Sequence, residues 1–120
     1  MPGQVLNITN GPISPTPGAN PVIQPGREAT DLSSASGNRF DLSLRCLFLS
    51  GTSITVKLQT SMYNDDNSGN WEDLVTFTTM TASNTIDVQS VTSGVLRYVR
   101  WHVSFSSVTT VTLEVLGMAW

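Results

Sequence analysis

Cysteine occurs once, at Cys46, in a chain of 120 residues. A single thiol cannot close an intrachain disulfide, which excludes the small disulfide-stapled secreted class. Histidine also occurs once, at His102. A zinc site built from His and Cys alone therefore cannot reach four protein ligands. Charged residues make up only 12% of the chain, about half the usual share. The six basic residues, Arg27, Arg39, Arg45, Lys57, Arg97 and Arg100, are scattered, and the net charge is −3. That pattern lacks the basic cluster of a nucleic-acid binder, so no direct nucleic-acid partner is expected. No run approaches the ~20 apolar residues of a membrane-spanning helix, and no membrane partner is expected. Met1 to Gly11 has neither the basic start nor the apolar run of a secretion signal, which predicts a soluble product made in the cytoplasm. Helical periodicity never extends beyond two turns.

Proline is missing from residue 26 onward, because all six (Pro2, Pro12, Pro15, Pro17, Pro21 and Pro25) fall before it. Charge is missing before Arg27. Proline lacks an N–H donor and clashes with the preceding helical turn, so residues 1–30 read as an extended, partly polyproline-II arm. Disordered tails are poor in aliphatics, yet this one carries Val5, Leu6, Ile8, Ile13, Val22 and Ile23. The arm is therefore expected to dock on its own domain, on a sister subunit or on a larger partner. Its removal is expected to weaken attachment while leaving the β fold intact.

Ser and Thr fill the place of charge, with fifteen of each. With abundant Val they favour strands, and a low-charge surface suits packing against neighbours. Residues 31–120 read as one β domain. Phe40, Leu42, Leu44, Cys46 and Phe48 alternate with Asp41, Ser43 and Arg45, the period of a half-buried strand. Ser50-Gly51-Thr52-Ser53 reads as a turn, and Ile54 to Ser61 alternates again, which predicts a hairpin. Asn64 to Asn70 is a strong turn signal before Trp71. Further strands are expected at Leu74–Phe77, Ile86–Val88, Val99–Phe105 and Val111–Val115. About seven strands with regular turns predict an all-β antiparallel sandwich, jelly-roll-like in character.

The chemistry on offer is sparse, and no catalytic set is expected. His102 falls on the surface side of its strand, and Cys46 on the core side. Asp65, Asp66, Asn67 and Asn70 do not match a calcium-hand loop and read as a turn in which Asx side chains bond their own backbone. Glu72 and Asp73 are adjacent on a strand and point to opposite faces. Asn7-Ile8-Thr9 fits the glycosylation acceptor pattern but has no weight without a secretion signal. Tyr63, Trp71, Tyr98, Trp101 and Trp120 supply either a sugar platform or core and interface packing, with Trp101 expected in the core and Trp71 at a packed corner. Arg97 and Arg100 flank Tyr98, as exposed arginines or as a carboxylate clamp. The candidate partner-binding residues are the six aliphatics of the arm together with Trp71, Tyr98 and Arg100.

The run Ile54-Thr55-Val56-Lys57-Leu58-Gln59-Thr60-Ser61, the Asp/Asn/Gly loop and Asn70-Trp71-Glu72-Asp73-Leu74 resemble a pattern of small tailed-phage virion proteins. Leu96-Arg97-Tyr98-Val99-Arg100 and Leu113-Glu114-Val115-Leu116-Gly117 extend the likeness over Arg39 to Gly117. Within that group the chain looks like the β-sandwich decoration, or cement, proteins of phage heads. The resemblance implies binding to the outer capsid surface, with the major capsid protein and sister subunits as partners and a homo-oligomer, trimer favoured. It implies a virion location after synthesis in the host cytoplasm, and no cofactor. A carbohydrate-binding module of a tail or fibre, discoidin-like, shares the strand, loop, Trp and Arg-Tyr-Val-Arg arrangement. Discoidin domains are longer and usually carry a disulfide, which this chain cannot form. A tail or neck structural component is a third reading.

Overall fold

The computed structural model describes residues 4–32 and 39–119, and in it the chain forms seven strands. They are β1 (Gln4–Asn7), β2 (Val22–Ile23), β3 (Thr30–Asp31), β4 (Phe40–Ser61), β5 (Glu72–Thr76), β6 (Thr85–Val91) and β7 (Tyr98–Ala119). Every strand pairing is antiparallel, and all seven join one sheet.

The spine is the pair β4 and β7, each 22 residues long. This corrects the hairpin expected around Ser50–Ser53. Phe40–Leu49 and Ile54–Ser61 do not pair with each other; they are successive stretches of β4, and both pair with β7. Gly51 is the cause. Its φ is +142°, and a Cβ there would lie 2.4 Å from the Ser107 carbonyl oxygen. Ser107 on the facing strand has φ +49°. The register slips between Cys46 and Phe48 and again between Ser50 and Gly51. Bulges of this kind bend a strand and increase its twist without ending it. The expected strands at Val99–Phe105 and Val111–Val115 merge into β7 in the same way.

The bend gives the sheet two halves. In the first, Phe40–Cys46 lies between β6 and Leu113–Ala119, with β1 beyond. In the second, Ile54–Ser61 lies between β5 and Tyr98–Phe105, with β2 and β3 beyond. Phe40, Leu42, Leu44, Leu113 and Val115 from the first half meet Ile54, Val56, Leu58, Val99 and Val103 from the second in one buried cluster. The all-β antiparallel fold read from the alternation is present, and its two layers come from one curled sheet. Each fully buried aliphatic side chain contributes roughly 1.5–3 kcal/mol.

Residues 4–31 run antiparallel along the full length of β7. β1 pairs with Leu116–Ala119, Ile13 bridges Leu113, β2 pairs with His102–Val103, and β3 pairs with Tyr98–Val99. Side chains stitch the gaps. Thr9 Oγ1 accepts from the Val115 N–H at 3.1 Å. The Asn20 side-chain amide both donates to the Phe105 carbonyl (2.9 Å) and accepts from its N–H (3.0 Å). Pro12, Pro15, Pro17, Pro21 and Pro25 all fall between the pairing points, where a missing N–H costs no ladder bond. Leu6 and Ile8 are buried in the core and Ile13 packs against it. The arm is therefore the edge of the domain, and its removal is expected to expose part of the core.

Candidate functional site

The outer face of the second half is polar and tightly bonded. Alternation along β7 sends Val99 inward and Arg100 outward, opposite Gln59 of β4. Arg100 Nε donates to Gln59 Oε1 at 2.9 Å, and Gln59 Nε2 donates to Asp73 Oδ1 at 3.1 Å. Lys57 Nζ donates to the other oxygen of Asp73 at 3.1 Å. The bonds from Gln59 and Lys57 hold the Asp73 carboxyl below its usual range.

An outward arginine should be exposed, yet Arg100 is only 3% exposed. Trp71 covers it, with the guanidinium carbon 4.3 Å from the centre of the ring. The turn before Trp71 sets that position. Asp65 accepts from the Asn67 N–H (3.1 Å) and from Asn70 Nδ2 (2.9 Å), and Asn67 accepts from the Gly69 N–H (3.0 Å). Trp71 Nε1 donates to the Asp65 carbonyl at 2.9 Å. The arm then packs against the turn. The Gly26 N–H donates to Asp66 Oδ1 at 2.7 Å, and a Cβ on Gly26 would lie 1.8 Å from the Asp65 carbonyl oxygen. Between arm and turn is a cleft of about 370 Å³, lined by residues that include Ile23, Pro25, Arg27, Asp66, Ser68 and Arg100. Burial pushes the Arg100 guanidinium down, and Asp66 and Asp65 act through space to raise it.

His102 sits one register step along, between Ile23 and Lys57. Its Nδ1 is buried without a hydrogen-bond partner. Burial, then the Lys57 cation, lowers its pKa from 6.5. Cys46 is remote in role, being fully buried on the core face of the first half. Its thiol is 3.8 Å from the Phe48 carbonyl, and burial pushes its pKa up. The structure thus does not bring Cys46 and His102 together. Among the described residues no group of three His, Cys, Asp or Glu side chains is placed to hold a metal ion.

The outer face of the first half is its opposite in character. Val5, Phe48, Ile86, Val88 and Leu116 all point outward from it and are 38–68% exposed. Among the described residues these are five of nine exposed large hydrophobics, so apolar exposure is concentrated here. The register sets Leu116, Ser43 and Val88 in one row and Arg45 beside Ile86 in the next.

The sequence-based candidates therefore separate. Val5 is on the apolar face. Leu6 and Ile8 belong to the domain's own core and offer nothing to a partner, and Ile13 packs on that core. Val22 is half-buried, and Ile23 reaches the cleft. Trp71 and Arg100 are buried against each other, a correction to the exposed arginine expected. Tyr98 is half-buried beneath Arg97, whose guanidinium carbon is 5.0 Å from its ring and which pairs with Asp31 at 3.4 Å. Of the five aromatic residues expected together, Trp71 is buried, Tyr98 and Trp101 are half-buried, Tyr63 is exposed, and Trp120 lies outside the described residues. Phe48, expected on the core side with Cys46, points outward because the register slips between the two. Ile86, Val88 and Leu116 escaped the sequence reading as surface residues, although Ile86 and Val88 were visible as a strand.

No protein-family model matches the chain, and no curated protein matches it. Solved structures do. PirA is similar over 88% of this chain and 89% of its own, with a TM-score of 0.55 and 9% identity. Bacillus endospore appendages, which are disulfide-linked pili, match over 98% of this chain and 85% of theirs, with a TM-score of 0.53 and 13% identity. The SPBc2 prophage-derived protein YomS superposes more loosely, with a TM-score of 0.46 at 17% identity over 91% of this chain and 94% of its own. The first two share the fold.

Proposed function

We propose that the chain is a structural component of a virus particle, in its specific form a head decoration protein that binds the outside of the assembled capsid. The observation that carries this reading is the apolar outer face of the first half, Val5, Phe48, Ile86, Val88 and Leu116. These apolar side chains are concentrated on one face and interspersed with Ser43, Arg45 and Glu114, and an exposed face rich in large apolar residues suits an interaction surface. The low charge of the chain suits a surface that is covered in use. The fold is shared with pili, so it is compatible with a place in a repeating assembly. Many copies on one shell make modest affinity per copy sufficient. The partners in this reading are the major capsid protein and sister subunits, arranged as a homo-oligomer.

Co-sedimentation with undecorated heads of the source phage tests the proposal. The wild-type chain should pellet with the heads, and Ile86→Lys and Val88→Lys should each abolish pelleting while keeping the β circular-dichroism spectrum. Absence of wild-type binding to those heads would sink it.

A further inference from the structure

We propose that the cleft over Arg100 is a receptor for a single carboxylate carried by a partner polypeptide. The cleft lies on the polar half of the sheet, away from the apolar face, so it adds a second contact to the reading above.

Arg100 is the centre of the argument. The residue as a whole is 3% exposed. Its plane is set by the Trp71 ring at 4.3 Å, and its rotation by the Nε bond to Gln59. Asp73 holds Gln59 in turn. Only Nε is used. Among the described residues neither Nη group has a hydrogen-bond acceptor, and no carboxylate forms an ion pair with Arg100. Arg100 is among the residues that line the cleft. Burying a cation without a partner is costly, and a guanidinium fork matches a planar carboxylate through two parallel bonds.

The lining sets the charge and the shape of the ligand. Arg27 and Arg100 line the cleft with the Asp66 carboxylate, and Asp65 acts on Arg100 from beside it. Two acidic side chains next to the guanidinium disfavour phosphate or sulfate, which carry more charge than a single carboxylate. Ile23 and Pro25 add apolar lining for an aliphatic stem, and Ser68 is a polar member of the same lining. An acidic side chain or a C-terminal carboxylate on a protein partner has this combination of stem and charge. The site is held ready by Trp71, Gln59 and Asp73, so little ordering is needed on binding.

The test is an NMR titration of the isolated, isotope-labelled chain, following the Trp71 indole N–H and the Arg100 Nε–H. N-acetylglutamate α-methylamide, whose one carboxylate is that of the side chain, should give saturable shifts with a dissociation constant of about 1 mM, and the neutral N-acetylglutamine α-methylamide should bind at least about tenfold more weakly. Arg100 also packs the fold, so the deciding variants are at the rim. Arg27→Gln should weaken binding about threefold and Asp66→Asn, which can still accept from Gly26, should tighten it about threefold. Non-saturable shifts, equal response to the amide, or indifference to both variants would overturn the carboxylate site. Stronger binding of inorganic phosphate would overturn the monoanion assignment, and stronger binding of glucuronate would overturn the polypeptide assignment. The titration needs no capsid, so its failure and failure of head binding are separate results.

Discussion

The guanidinium carbon of Arg100 lies 4.3 Å from the centre of the Trp71 ring, and both side chains are buried on what alternation makes the outer face of the sheet. This contact ties three distant pieces of chain together. Trp71 brings the Asp65–Asn70 turn, Arg100 brings β7, and Gln24 to Arg27 of the arm close over both.

Trp71→Ala should destabilise the fold by about 3–5 kcal/mol, as expected for loss of a large buried aromatic. Arg100→Met keeps the stem and removes the cation. A double-mutant cycle between the two, read by urea unfolding, should give a coupling of about 1–2 kcal/mol. Additive effects would show that the stack is only proximity.

Gly51→Ala should cost about 2 kcal/mol or more, because the new Cβ meets the Ser107 carbonyl in a strained backbone region. Gly94→Ala is the control: its φ is +80°, but nothing lies within 4 Å of its Cβ position. Gly94→Ala should therefore cost less in the same thermal unfolding experiment. Equal costs would mean that the bend does not depend on close approach of β4 and β7.

Ile8→Ala should cost about 2–4 kcal/mol, because Ile8 is buried in the shared core. Deletion of residues 1–26 should leave a chain without cooperative unfolding. A sharp thermal transition in the deleted chain would show that the arm is an appendage after all.

Stability should fall as pH drops below 6.5. His102 has a folded pKa lowered from 6.5, chiefly by burial and then by Lys57, with Arg100 also opposing its charge and Asp73 favouring it. The unfolded chain therefore binds the proton first. The stabilisation is complete above 6.5 and is lost as pH falls towards the folded value. His102→Gln should flatten this limb of the unfolding free energy against pH. An unchanged slope would assign the titration elsewhere.

The sequence carried more of the local pattern than of the long-range closure. Alternation named Phe40, Leu42, Leu44, Cys46 and Phe48 as inward; the first four are buried, and Phe48 is exposed because the register slips between Cys46 and Phe48. It failed at Gly51, because a glycine within polar residues has the same local signal whether the chain reverses or only bends. The bend depends on Ser107, 56 positions later, which no local pattern could reveal. Proline spacing made the arm legible as extended. Its destination was not, since Thr9 meets Val115 across 106 positions. Arg100 was placed on the outer face, and its burial was missed because the cover comes from residues near 26, 66 and 71. The apolar face was half legible: Ile86 and Val88 stood out as a strand, but Val5, Phe48 and Leu116 join them only through the register of β1, β7, β4 and β6.

Electron cryomicroscopy of decorated heads tests the central claim most directly, because it shows which surface of the domain meets the shell. The account predicts density for the chain with Val5, Phe48, Ile86, Val88 and Leu116 covered by capsid or sister subunits. Density in which that face points to solvent, with the chain held by another surface, would contradict it.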